Sequence, residues 1–206
     1  MPEAGSLQPD EDHALVRLLY LAHCTREKGL FDTMEAVQLA QQQLHASRAP
    51  FRLKLAVCGE FLDEREKREF ERRCADPEME GLIDYAGFVS GNRKDRAFRS
   101  ADIFCFPTFY YAESFGLVVT EAMAYGLPVI TTRWRSVPEV LPPYYPGLVD
   151  PNQPRQMADA LCLFITQADP MIVRRHFLGH FTIERHLNAL AGAIRKVAPS
   201  GSGLPS

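Results

Sequence analysis

Two carboxylates frame the start of one apolar segment. In P-T-F-Y-Y-A-E-S-F-G-L-V-V-T-E-A-M-A-Y-G-L-P-V-I, positions 107–130, Glu113 comes just before an expected helix and Glu121 sits inside it, among Leu117, Val118, Val119, Ala122, Met123 and Ala124. An ionised side chain in such surroundings is costly unless something pairs with it. Ser114, Phe115 and Gly116 would present free backbone N–H groups at the helix start, which suits an anion, and Gly116 lets a ligand approach the backbone. Acids on both sides of an anion site suit a polyhydroxyl ligand that carries a phosphate. The alternatives are structural: Glu113 or Ser114 as a helix cap, and Glu121 paired with an internal cation such as an arginine instead of ribose hydroxyls.

Two further loops carry polar groups. H-C-T-R-E-K-G (23–29) brings Arg26 and Lys28 to a helix N-terminus. Cations are unfavourable there by themselves, whereas a bound phosphate reverses the sign; a solvated basic loop is the other reading. T-T-R-W-R-S-V-P-E-V (131–140) offers Arg133, Arg135, the backbone at Ser136 and the sole tryptophan, Trp134, which either stacks on a base or sugar or packs on the surface. The basic cluster Arg93, Lys94, Arg96 and Arg99 reads as the solvated face of a helix. The six histidines are scattered; His176 and His180, spaced i and i+4, lack an H-E-x-x-H context and read as helix-surface residues. No Ser/His/Asp set is suggested. No D-x-D pair follows a strand, so a metal-bound diphosphate is not indicated.

The elements that must position these groups alternate along the chain. Short apolar runs at 16–22, 53–58, 83–89, 102–106, 128–131 and 148–149 read as strands. Helical segments fall at 30–46, 63–75, 93–99, 116–125 and 154–167, with further amphipathic segments over 171–197. Pro154 suits a first helical position. The alternation implies an α/β fold, one Rossmann-like doubly wound parallel sheet with helices on both faces. Ligands then bind at the C-terminal strand ends. A flexible leader is expected over 1–13 and a flexible tail over 198–206, with one domain between them.

The 206 residues, 46% of them hydrophobic and 24% charged, suit one globular domain. A net charge of -3 gives no reason to expect nucleic acid. No apolar run approaches the ~18–20 residues that cross a bilayer, so no transmembrane segment is expected. The acidic first residues are not a signal peptide. The five cysteines show no metal-ligand spacing, and Cys58 and Cys105 read as buried thiols, the pattern of a cytoplasmic protein.

The segment E-S-F-G-L-V-V-T-E-A-M-A-Y-G-L-P-V-I resembles the E-x7-E signature of the retaining, family 4 glycosyltransferases of the GT-B fold, with Glu113 and Glu121 at its acid positions. R-E-K-G, Y-A-G-F-V-S, S-A-D-I-F-C-F-P-T and S-V-P-E-V resemble, in order, further segments of that family's C-terminal, donor-binding domain. The resemblance implies one half of a GT-B fold that binds a nucleotide-diphosphate sugar for retaining hexosyl transfer, without a metal or other cofactor. It implies that Lys28, with Arg26 and His23 nearby, contacts the diphosphate. Glu113 would hold the donor sugar, Glu121 the ribose, and the backbone of Ser114, Phe115, Gly116 and Leu117 would cradle the phosphates and sugar. Glu113 and Lys28 are the residues expected to serve the chemistry.

The chain departs from the family pattern in three places. Ala22-His23 stands where the family often has Gly-Arg, so a weaker, pH-dependent donor replaces an arginine. Arg135-Ser136 stands where the family has Gly-Gly. Only a short leader precedes the first strand, so the acceptor domain is expected from a partner chain. A binding module without turnover, or a truncated product, is the alternative to an enzyme.

Overall fold

The structure is a computed structural model and describes residues 14–167, 169 and 171–197. The expected leader and tail lie outside the described residues. Six strands form one fully parallel sheet: β1 (Ala14–Leu21), β2 (Phe51–Cys58), β3 (Ile83–Gly87), β4 (Ile103–Phe106), β5 (Val129–Thr132) and β6 (Leu148–Val149), in the order β3-β2-β1-β4-β5-β6. The doubly wound expectation is met. β1 begins two residues before its apolar run because Ala14 pairs with Phe51 in register.

Among the described residues, seven α-helices accompany the sheet: α1 (Leu30–Ala46), α2 (Glu64–Cys74), α3 (Gly91–Ser100), α4 (Leu117–Tyr125), α5 (Pro154–Gln167), α6 (Met171–His180) and α7 (Ile183–Val197). Right-handed crossovers put α1 and α2 on one face, since the chain moves outward from β1 to β3, and α3 and α4 on the other, after the chain jumps back to β4. α1 packs on α5, and α4 packs on α3 and α6. The central strands are buried on both faces: Leu18, Leu19, Tyr20, Leu55, Val57 and Phe104 are at most 1% exposed. This explains why they read as continuous apolar runs.

Local chemistry sets the helix ends. Asp63 caps α2 by accepting from the Arg65 N–H at 2.7 Å. The amphipathic stretch over 171–197 divides at Thr182, whose carbonyl accepts the His186 N–H at 3.0 Å and restarts the helix as α7. Along α7, Ile183, Leu187, Leu190 and Ile194 recur at helical spacing and are 47–64% exposed.

Candidate functional site

The strand order reverses between β1 and β4, and the loops that follow these two strands diverge around a gap at their C-terminal ends. Lys28 lies on the loop after β1 and Glu113 on the loop after β4. The two loops are tied together. The Phe109 N–H donates to the Glu27 carbonyl at 2.8 Å. Gly29, at φ 81°, sits so close to Pro107 that a Cβ there would be 2.3 Å from the Pro107 carbonyl oxygen. A glycine is therefore required where the loops touch.

Lys28 Nζ donates to Glu113 Oε2 at 2.6 Å, with the side chains only 18% and 12% exposed. The ammonium also lies over the Tyr110 ring, 4.4 Å from its centroid. Tyr110 is fixed in turn by Trp134, whose indole N–H donates to the Tyr110 carbonyl at 2.8 Å. Trp134 thus ties the loop after β5 to the loop after β4.

Between the two acids the chain turns into α4 at Gly116. Its φ of 61° and ψ of 57° are left-handed, so α4 starts at Leu117 and not at Gly116. No side chain caps this end. The first amides of a helix have no partner within it, so those of Leu117 and Val118 are available to an anion. One turn on, Glu121 is paired within the protein. Its partner is a lysine and not an arginine: Lys94 Nζ lies 2.8 Å from Oε1 and 2.7 Å from Oε2.

Lys94 corrects the reading of the basic cluster as one solvated face. It shares a face of α3 with Phe98, four residues on, which is 1% exposed and stacks on Tyr125 of α4 at 4.9 Å. Asp95 accepts from the Tyr125 hydroxyl and from Arg99, both at 2.7 Å, and these donors hold its carboxyl below the usual range. α3 is therefore docked on α4 with Lys94 directed at Glu121. The i, i+4 spacing of Lys94 to an aromatic was the available signal.

A cavity of about 440 Å³ joins these groups. His23, Lys28, Glu113, Gly116, Leu117 and Glu121 line it, as do Lys94, Glu60, Phe88, Val89 and Cys58, which sequence reasoning did not assign. Three of the predicted residues are not in its wall. Ser114 and Phe115 are exposed on the preceding turn. Arg26 is exposed, with its guanidinium 4.7 Å from the Phe31 ring centroid. A second cavity, about 370 Å³, is lined by Gln41, His45, Arg52 and Glu78 near the start of β2 and touches none of the predicted residues.

His23 Nδ1 is 3.7 Å from a Glu60 carboxylate oxygen. Burial pushes the Cys58 thiol up, and burial next to the Cys58 sulfur pushes Cys24 up to about 12. Both are protonated at neutral pH and are poor nucleophiles. Among the described residues, no group of three or more His, Cys, Asp or Glu side chains is placed to hold a metal, and no helix is long and apolar enough to cross a membrane.

Comparison with known proteins adds the lineage. The sequence model of the family Glycosyl transferases group 1 matches residues 8–176. The amylovoran biosynthesis glycosyltransferase AmsK of Erwinia amylovora is 26% identical over 192 residues, covering 91% of this chain and 45% of the relative. A D-inositol 3-phosphate glycosyltransferase of Pseudarthrobacter chlorophenolicus is 34% identical over 124 residues, covering 59% and 27%. The chain thus spans less than half the length of these curated relatives. Among solved structures, Anabaena HepE in complex with UDP superposes with a TM-score of 0.73 at 16% identity, covering 90% of this chain and 50% of that one. The C-terminal domain of the group 1 glycosyl transferase LpcC from Francisella tularensis gives 0.66 at 23% identity, covering 83% and 88%. The family match and the superposition on an isolated C-terminal domain agree: this chain belongs to the group 1 glycosyl transferases and has the Rossmann-like fold of their GT-B C-terminal domain.

Proposed function

We propose that residues 14–197 bind a nucleotide-diphosphate sugar and present it for retaining transfer of a hexosyl group to an acceptor held by a separate domain. The observation that carries this reading is the Lys28–Glu113 pair beside the open start of α4. Lys28 and the amides of Leu117 and Val118 receive the diphosphate. Glu113 keeps Oε1 for a hydroxyl of the transferred sugar, since Lys28 occupies Oε2. As the glycosidic C–O bond breaks, the bonding pair leaves with the nucleoside diphosphate, and fixed positive charge and backbone dipoles stabilise it there. No metal is assigned a role. His23, opposite Glu60, is a further donor to the diphosphate, and Arg26 supplies positive potential at the loop. The backbone at Ser114 and Phe115 shapes the turn that the sugar meets.

HepE has been solved with UDP and with UDP-glucose, which supports a uridine nucleotide as the first ligand to try. Calorimetric titration of the full chain with UDP, UDP-glucose, GDP and GDP-mannose tests the reading. Saturable one-site binding of a nucleotide sugar is expected, and binding of none of the four would overturn it.

A further inference from the structure

We propose that Arg135 is a specificity-determining residue for an acidic donor sugar, its guanidinium receiving the carboxylate of a hexuronosyl group. The proposal rests on the donor-site reading above and names the class of sugar.

The loop after β5 is pinned at two places to residues that bracket Glu113. The Trp134 indole N–H holds the Tyr110 carbonyl at 2.8 Å. Val137 is fully buried and packs at the start of α4, where a Cβ on Gly116 would stand 3.6 Å from its Cγ2. Arg135 lies between these anchors, in a turn closed by the Val137 N–H donating to the Trp134 carbonyl at 3.1 Å. The loop therefore flanks the turn 111–115 that carries Glu113. The sheet order gives the direction. Phe88 and Val89 follow β3, Lys28 follows β1, Glu113 follows β4 and Arg135 follows β5. Phe88 and Val89 give the cavity an apolar wall suited to a base. With the base there, the diphosphate at Lys28 and the sugar at Glu113, the far edge of the sugar points toward the loop after β5. Arg135 is not part of the cavity wall, so the group it meets is one that projects from the cavity.

Arg135 is exposed, yet its backbone is not that of an ordinary surface residue. Its φ is 46°, a left-handed value that costs a residue with a Cβ. Arg48 has a positive φ too, but it follows α1, and its N–H bonds back to the His45 carbonyl at 3.0 Å to close the helix end. Arg135 closes no helix. Nor does it serve an internal ion pair. Its neighbour Arg133 pairs with Asp150 at 3.3 Å, whereas no carboxylate pairs with Arg135 among the described residues. Its guanidinium carbon lies 5.8 Å from the Trp134 ring centroid, over an indole that is itself tied to the site. A planar guanidinium held this way offers parallel N–H donors that match the two oxygens of a carboxylate. A neutral hexosyl group has no such partner, and the C6 carboxylate of a hexuronosyl group does.

A solvated arginine would leave the choice of sugar untouched, and a diffuse positive potential would strengthen every nucleotide alike. The test measures dissociation constants for the wild-type chain, Arg135→Gly, Arg135→Gln and Arg135→Lys. The ligands carry whichever nucleoside binds: UDP-glucuronate, UDP-glucose and UDP, or GDP-mannuronate, GDP-mannose and GDP. Glycine takes a φ of 46° without strain, so Arg135→Gly removes the cation from an undisturbed turn. The wild type is expected to prefer the acidic sugar by about tenfold or more, the gain of a charge-assisted hydrogen bond. Arg135→Gly and Arg135→Gln should bring that preference to about twofold or less, with the affinity for the nucleoside diphosphate itself unchanged within about twofold. Arg135→Lys should keep part of the preference. A wild type without the preference, a preference that persists in Arg135→Gln, or one lost together with affinity for the nucleoside diphosphate overturns the role of Arg135 and leaves the donor-site reading standing. A wild type that binds no nucleotide sugar overturns both.

Discussion

Lys28 Nζ stands 2.6 Å from Glu113 Oε2, joining residues 85 positions apart across the gap where the sheet reverses its order. The contact exists only because β1 and β4 are neighbours and their loops clasp. It fixes a carboxylate beside a cation at the mouth of a backbone anion site. Lys28→Ala leaves the mostly covered Glu113 carboxylate unpaired. It should therefore lower unfolding stability by about 1–3 kcal/mol, measured by urea denaturation, apart from its effect on ligand affinity.

Gly29 and Gly116 give different answers to the same substitution. Both have positive φ, but a Cβ at Gly29 meets backbone at 2.3 Å, whereas at Gly116 its nearest neighbour is the Val119 side chain at 3.4 Å. Gly116→Ala should cost about 1 kcal/mol, the left-handed penalty alone, and lower Tm by about 2–4 °C. Gly29→Ala should cost several times more, because Pro107 and the β4 loop must move. Equal losses for the two variants would contradict the clasped-loop geometry.

The buried thiols set an alkaline limit. A Cys24 thiol raised to about 12 favours the protonated folded form. Its contribution to stability is complete below the unfolded value near 8.5 and is lost as pH rises through about 12. Between pH 7 and 10.5 the wild type should lose more stability than Cys24→Ala, by about 1.4 kcal/mol per pH unit above ~8.5. Parallel curves in urea titrations would contradict this. In native protein a thiol reagent should reach Cys74 and Cys162 first, since Cys24, Cys58 and Cys105 are at most 3% exposed.

The apolar stripe of α7 should be silent in folding. Leu187 and Leu190 are 54% and 47% exposed, so the double change Leu187→Gln, Leu190→Gln should alter stability by no more than about 1 kcal/mol in total. A large drop in Tm would mean that the stripe is packed.

Much of this fold is written in local signals. α1 and α5 begin and end where their apolar spacing, and Pro154, place them. The parallel sheet follows from apolar runs alternating with helices, because a strand buried on both faces has no polar face to show. The start of α4 was displaced by one residue because Gly116 takes a left-handed φ that a sequence does not display. At the site, the E-x7-E spacing brought Glu113 and Glu121 to one cavity. Lys94 was hidden: a lysine in a run of arginines looks solvated until tertiary packing shows which face of α3 meets α4. The walls at Glu60, Phe88 and Val89 were also missed, since only the meeting of the β2 and β3 ends with α4 makes them a surface.

The donor-site account is tested most directly by calorimetric titration of one nucleotide sugar, UDP-glucose if it binds, into the wild type, Lys28→Ala, Glu121→Ala and Arg52→Ala, the last in the separate cavity near β2. The account predicts that Lys28→Ala and Glu121→Ala each weaken binding by about 1.5–3 kcal/mol, roughly 10- to 100-fold, while Arg52→Ala leaves it unchanged. Unchanged affinity in both site variants, with both shown to be folded, would contradict it.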